Sequence, residues 1–234
     1  MNKTIQTPLN IQLIAGQQAM VNVTLIDDGT KHFITADENS FVAFKKHDNG
    51  LVSYKRFETF PCCVAYLHGG LSPKYLNEFD PQNEQDTEEN LKSYRQASYA
   101  IVISEDGKAQ VVSYESDESY ELITGNIKNA FSCYCPKDMK HIDIYHDDEF
   151  LFRPDLAEML PTLIDMRERR SRIDYRQDVI LYGVLVIVSH DGEGETLGLH
   201  DHAMRELIDR LNSPILTNEH TKESRNVFII TPSN

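Results

Sequence analysis

The stretch DVILYGVLVIVS, from Asp178 to Ser189, is apolar at almost every position. A strand with one wet face alternates apolar and polar residues. A run without alternation needs cover on both sides, as a central strand has. The uncharged core from Val179 to Val188 is about half the length that a membrane-spanning helix requires. The run therefore predicts a sheet with packed layers on both faces, and it excludes a small open meander as the whole fold.

The rest of the chain supplies elements for such a sheet. MVNVTLIDDGTKHFIT alternates on both sides of Asp28-Gly29, and SFVAFKKHDNGLVSYKRF does so around Asn49-Gly50. Both read as hairpins, because Asx-Gly pairs accept the positive φ of tight turns. CCVAYLH follows and reads as a buried strand. SYAIVISEDGKAQVVSYE predicts another hairpin, turning at Asp106-Gly107. SDESYELITGN predicts a short helix, capped by Ser116 or Asp117 and ended by Gly125 in the left-handed conformation. NAFSCYC and HIDIYHD alternate like strands, the second as the solvated face of an edge strand. RPDLAEMLPTLIDMRERRSR has helical spacing at Leu156, Met159, Leu160, Leu163 and Ile164, with a kink expected at Pro161. DHAMRELIDRL is an amphipathic helix with Asp201 as its N-cap, and NVFIIT is a last strand. The expected fold class is α+β: an N-terminal antiparallel β region, then a mixed sheet with two or three packed helices.

The expected organisation is a β-rich region over 1–77, an acidic connector or insertion loop over 78–95, and an α+β domain over 96–234. Glu78, Asp80, Glu84, Asp86, Glu88 and Glu89 define the connector, with no cation before Lys92. Like-charge repulsion favours a solvated segment there. The whole chain has 23 Lys+Arg against 37 Asp+Glu and a formal net charge of -14. That balance argues against direct nucleic-acid binding and for a basic partner surface or plain solubility. The first twenty residues carry no long apolar run, so a cytoplasmic location and no membrane association are expected.

Two segments resemble a known family: YAIVISEDGKAQVVSYESDESYELITGNI, and DVILYGVLVIVSHDGEGETLGL with its Asp-x-Ile-x-x-Gly strand and Asp-x-Glu-Gly turn. They are similar to proteins of bacteriophages, plasmids and other mobile elements that are known only as a domain of unknown function. The resemblance covers the C-terminal part alone. It brings no catalytic residues. It implies a mobile-element setting, in which small acidic proteins act by binding a host protein.

Phosphate-loop, dinucleotide, serine-hydrolase and HExxH motifs are lacking. The expected function is therefore non-enzymatic: docking on a host or defence protein with a basic surface, and blocking or redirecting it. Glu78, Asp80, Glu84, Asp86, Glu88, Glu89, Asp147, Asp148 and Glu149 are the candidate contacts, and no cofactor is expected. The rival is a metal-dependent hydrolase or nuclease. It would hold a divalent metal with His190, Asp191, His200 and His202, joined by His141 and Asp143. An Asp201 N-cap would send His200 and His202 apart, because residues two apart on a helix diverge by about 200°. Cys62, Cys63, Cys133 and Cys135 could together bind zinc, although neither CC nor CxC is the usual CxxC spacing. Arg167, Arg169, Arg170, Arg172 and Arg176, around Tyr175, form the main basic cluster, read as a helix end.

Overall fold

The computed structural model describes residues 21–24, 31–36, 40–46, 52–67, 92, 95–166, 178–212, 215–218 and 221–231. Among these, strands dominate, and the class is α+β. Four antiparallel strands come first: β1 (Val21–Thr24), β2 (Lys31–Ala36), β3 (Phe41–Lys46) and β4 (Val52–Phe57). β5 (Ser98–Ile103) and β6 (Ala109–Tyr114) form the next hairpin. Gly107 turns it at φ 75°, and a Cβ there would lie 2.1 Å from the Asn226 carbonyl oxygen. β7 (Phe131–Tyr134), β8 (Ile142–Asp147), β11 (Leu185–His190) and the short β12 (Thr196–Leu197) complete a ten-stranded sheet. Its order is β4-β3-β2-β1-β6-β5-β11-β8-β7, with β12 beside β11. The N-terminal strands join it through a parallel contact, Asn22 opposite Gln110.

β11 lies between β5 and β8, and Leu185 to Ser189 are all buried. This is the doubly covered strand that its composition demands. One face carries Ile101, Ile103, Ile142, Ile144, Leu185 and Ile187 into the main core. The other carries Ala100, Val102, Val186 and Val188, packed with Ile123 and Ile127. Each such side chain contributes on the order of 1.5–3 kcal/mol of hydrophobic stabilisation.

The apolar run is not one strand, however. Val179–Leu181 is β10, which pairs with β9 (Leu163–Asp165) in a second sheet of order β10-β9-β16-β13, and Leu185 opens β11 in the first. β13 is Leu211–Asn212 and β16 is Phe228–Ile230. β14 (Ile215–Thr217) and β15 (Ser224–Asn226) pair separately. Gly183 makes the break with φ 75°, and a Cβ there would lie 2.9 Å from the Phe150 ring. Apolar side chains at the joint hide it, because both neighbouring sheets bury what they hold.

The helices correct several sequence expectations. CCVAYLH is not a strand: Phe60–Leu67 is helix α1. Phe60, Cys63, Val64 and Leu67 are its buried stripe at helical spacing, and Pro61 stands in its first turn, where its missing N–H costs nothing. Its first N–H, on Phe60, donates to the Asp201 carboxylate at 2.9 Å. The cap thus comes from 141 residues away.

The cap expected of Asp201 on its own helix falls instead to His200. α3 is Asp201–Arg210, and the His200 ring accepts from the Ala203 N–H at 3.3 Å. In α2 (Ser119–Asn126), Glu118 occupies the cap position without a side-chain bond, in place of Ser116 or Asp117. Gly125 stays inside that helix, which ends at Ile127, whose N–H reaches the Ile123 carbonyl. The segment read as a long helix from Arg153 opens instead with one 3-10 turn, Leu156–Glu158, followed by β9, and another 3-10 turn, Glu149–Phe152, precedes it. Pro161 has no N–H to give, while the Thr162 N–H donates to Leu181 across the sheet and its hydroxyl to Gly183. That pairing draws the following residues into a strand. No helix among the described residues is long and apolar enough to cross a membrane.

Candidate functional site

The register of β8 on β11 sorts the polar side chains to the two ends of the central strands. Leu185 opposes His146, Val188 opposes Asp143, and His190 lies beyond, at the exit of β11. On β7, Cys133 opposes Tyr145 and Tyr134 opposes Ile144, so Cys135 comes level with Asp143. Opposed and alternate residues share a face. Cys133, Cys135, Asp143, Tyr145 and His190 therefore stand on one side of the sheet, the side covered by α2.

At the His190 end, the donor atoms of Cys133, Cys135 and Asp143 all lie within 4.8 Å of one another. The Cys135 Sγ donates to Asp143 Oδ1 at 2.8 Å. His190 Nδ1 is 3.0 Å from the same oxygen. That nitrogen is buried, yet its geometry makes no hydrogen bond: the two atoms are close but the ring N–H does not point at the oxygen. Asp143 is only 7% exposed. β8 is an interior strand, not the edge, which corrects the solvated-face reading. Cys133 is exposed as a residue, but its sulfur is turned partly into the sheet, and that burial, then the Asp143 charge, raises the thiol above its ordinary range. The hydrogen bond to Asp143, then burial, raises Cys135. Both thiols are neutral in this setting. Tyr145 is also raised, by burial first, and its hydroxyl lies 3.3 Å from that of Thr196.

The remaining residues of the expected metal set are engaged elsewhere. His141 is exposed, with its ring 6.4 Å from that of His190. Asp191 accepts from the Glu193 and Glu195 N–H groups at 2.8 and 2.9 Å, which closes the acidic turn. His200 caps α3, Asp201 caps α1, and His202 is exposed in the first helical turn. Those three line a separate cavity of about 420 Å³ with Arg95, Ser98 and Tyr99. His200 is extended and His202 helical. The four-cysteine zinc site is not assembled either. Cys62 and Cys63 ride on α1, which packs on β3 near one edge of the large sheet, while Cys133 lies on β7 at the other.

At the opposite end, Asp147, Asp148 and Glu149 leave β8 beside the β5–β6 turn. Asp147 accepts from the Glu149 N–H and from Asn129; Asp148 and Glu149 are exposed. Glu105 and Asp106 sit in the adjoining turn. Asp106 contacts Lys108 and Ser104, and those two hydrogen bonds, in that order, lower its carboxyl. Arg153 binds Asp155 through two nitrogens at 3.2 and 3.0 Å, and it also lies in the fields of Glu105 and Asp147. Sequence reasoning found 147–149 but missed Glu105 and Asp106, whose proximity follows from Ile103 pairing with Leu185. Glu78, Asp80, Glu84, Asp86, Glu88 and Glu89 lie outside the described residues, as do Arg167, Arg169, Arg170, Arg172, Tyr175 and Arg176. No family model, curated protein or solved structure matches the chain.

Proposed function

We propose that this chain is a non-enzymatic binding protein whose acidic end docks on a basic surface of another protein. In the mobile-element setting that its C-terminal motifs imply, the partner is a host or defence protein, blocked or redirected by an acidic surface that competes with nucleic acid. The observation that carries this reading is convergence. Carboxylates from the β5–β6 turn, the end of β8 and the Arg153–Asp155 turn gather at one end of the sheet. They add to a formal net charge of -14. Exposed charge of one sign steers encounter with an opposite patch and weakens as salt rises.

The test replaces Glu105, Asp148 and Glu149 by Lys and leaves Asp147 intact, since its carboxylate holds the local turn. Each reversal adds two units, taking the formal charge from -14 to -8. Wild type and variant are used as bait in lysate at low and moderate salt. Proteins retained by wild type, released by salt and lost with the variant support docking. A retained set identical for both chains refutes it. The rival hydrolase reading draws on one observation, the contact of His190 with Asp143, whereas Asp191, His200 and His202 are used in a turn and a helix start.

A further inference from the structure

We infer that Cys133, Cys135, Asp143 and His190 form a zinc-type metal site that ties the edge strand β7 to the centre of the sheet. The inference is independent of the docking reading. Three strands each bring donor chemistry to one place: β7 and its exit two sulfurs, β8 a carboxylate, and β11 an imidazole. The sulfur and carboxylate atoms already lie within 4.8 Å of one another; the imidazole nitrogen stands outside that group but lies 3.0 Å from the shared oxygen.

Two features point to a cation in particular. Asp143 is a buried carboxylate, and among the described residues those recorded beside it, Cys133, Cys135, Tyr145 and His190, include no Lys or Arg. Buried charge needs a counter-charge. His190 Nδ1 is likewise buried without a hydrogen bond, and a lone pair facing a metal ion removes that deficit. Binding is then an exchange: two thiol protons leave to solvent and two metal–thiolate bonds form, with the carboxylate and neutral imidazole as the other donors.

The donor set selects the ion. Thiolates exclude magnesium and calcium, which take oxygen ligands, and two sulfurs with one nitrogen and one oxygen suit tetrahedral zinc. Four protein donors leave no open position, so the site is structural rather than catalytic. It would cross-link β7, at the edge of the large sheet, to the strands beside it, and an edge is the place where sheets are most open to misassembly.

The test uses the full chain, reduced and freed of metal, then titrated with cobalt(II) and with zinc. Wild type should bind one ion per chain, with the sulfur-to-metal absorption of a tetrahedral cobalt thiolate that zinc displaces. Cys133→Ser with Cys135→Ser should abolish that absorption. Both positions are exposed, so the fold accommodates serine, and circular dichroism checks this. Asp143→Asn and His190→Ala should each weaken zinc binding by more than the roughly 10–100-fold that loss of an outer-sphere partner costs. Cys62→Ser, on α1, should leave it unchanged. Absence of the thiolate absorption in wild type overturns the inference. So does an unaltered spectrum in the double serine variant, or full affinity in both Asp143→Asn and His190→Ala.

Discussion

The two ends of the central strands carry the same residue type in opposite states. At one end Asp148, Glu149 and Glu105 stand in water, and the pairs near them, Lys108 with Asp106 and Arg153 with Asp155, are exposed. Exposed pairs of this sort are screened by solvent, so that end adds charge but little stability. At the other end Asp143 is buried among two thiols and an imidazole. Solvated charge is free to meet a partner. Buried charge demands one, and the demand is a structural property of the fold. One sheet therefore carries exposed carboxylates at one pole and a buried one at the other.

The largest break in this comparison should come from metal. Linkage at free zinc about a thousand times Kd gives about 4 kcal/mol, or roughly 10 °C in Tm for a chain of this length. Cys135→Ser should remove that increment, and thermal melts with zinc and with chelator measure it. Asp143→Asn should change sign between the two conditions. In chelator it relieves a buried carboxylate and raises Tm by roughly 2–4 °C, the equivalent of about 1 kcal/mol. In zinc it lowers Tm relative to wild type. A carboxylate serving only as a hydrogen-bond acceptor would give one sign throughout.

Gly183→Ala should act on the acidic end alone. A Cβ at φ 75° meets the Phe150 ring, and Phe150 is the buried anchor of the segment that carries Asp147 to Glu149. The left-handed conformation costs about 1–2 kcal/mol for a residue with a Cβ. Chemical denaturation should report that loss, and retention of basic partners should fall with it. Cobalt absorption should be unchanged. A spectral change would mean that the two ends are coupled through β11.

What could be read from the chain depended on how local the determinant was. The β5–β6 hairpin was legible because Asp106-Gly107 encodes its own turn, and Gly107 takes the positive φ. α3 was legible from Met204, Leu207 and Ile208 on one stripe. α1 was not, since its first N–H is satisfied by Asp201, far along the sequence, and a short apolar run does not separate strand from helix. Asp143 and His190 were both singled out, but with partners that the fold sends elsewhere. Their union with Cys133 and Cys135 depends on strand register across β7, β8 and β11. One local signal pointed there. In a strand, alternate residues share a face, so CxC is itself the spacing that aligns two sulfurs.

The smallest expected effect separates Asp191 from the anchor beside it. Its carboxyl is lowered by hydrogen bonds from the Glu195 and Glu193 N–H groups, and the residue is half-buried. Its contribution is therefore present above the ordinary carboxylate pKa of about 3.9 and is lost as pH falls through the lower folded value. Wild type should lose that increment between neutral and strongly acidic solution, and Asp191→Ala should show a correspondingly flatter Tm against pH. At pH 7 the variant should bind zinc as wild type does. Loss of zinc on Asp191→Ala would move the metal from the Cys133–Asp143 cluster to the acidic turn beside it.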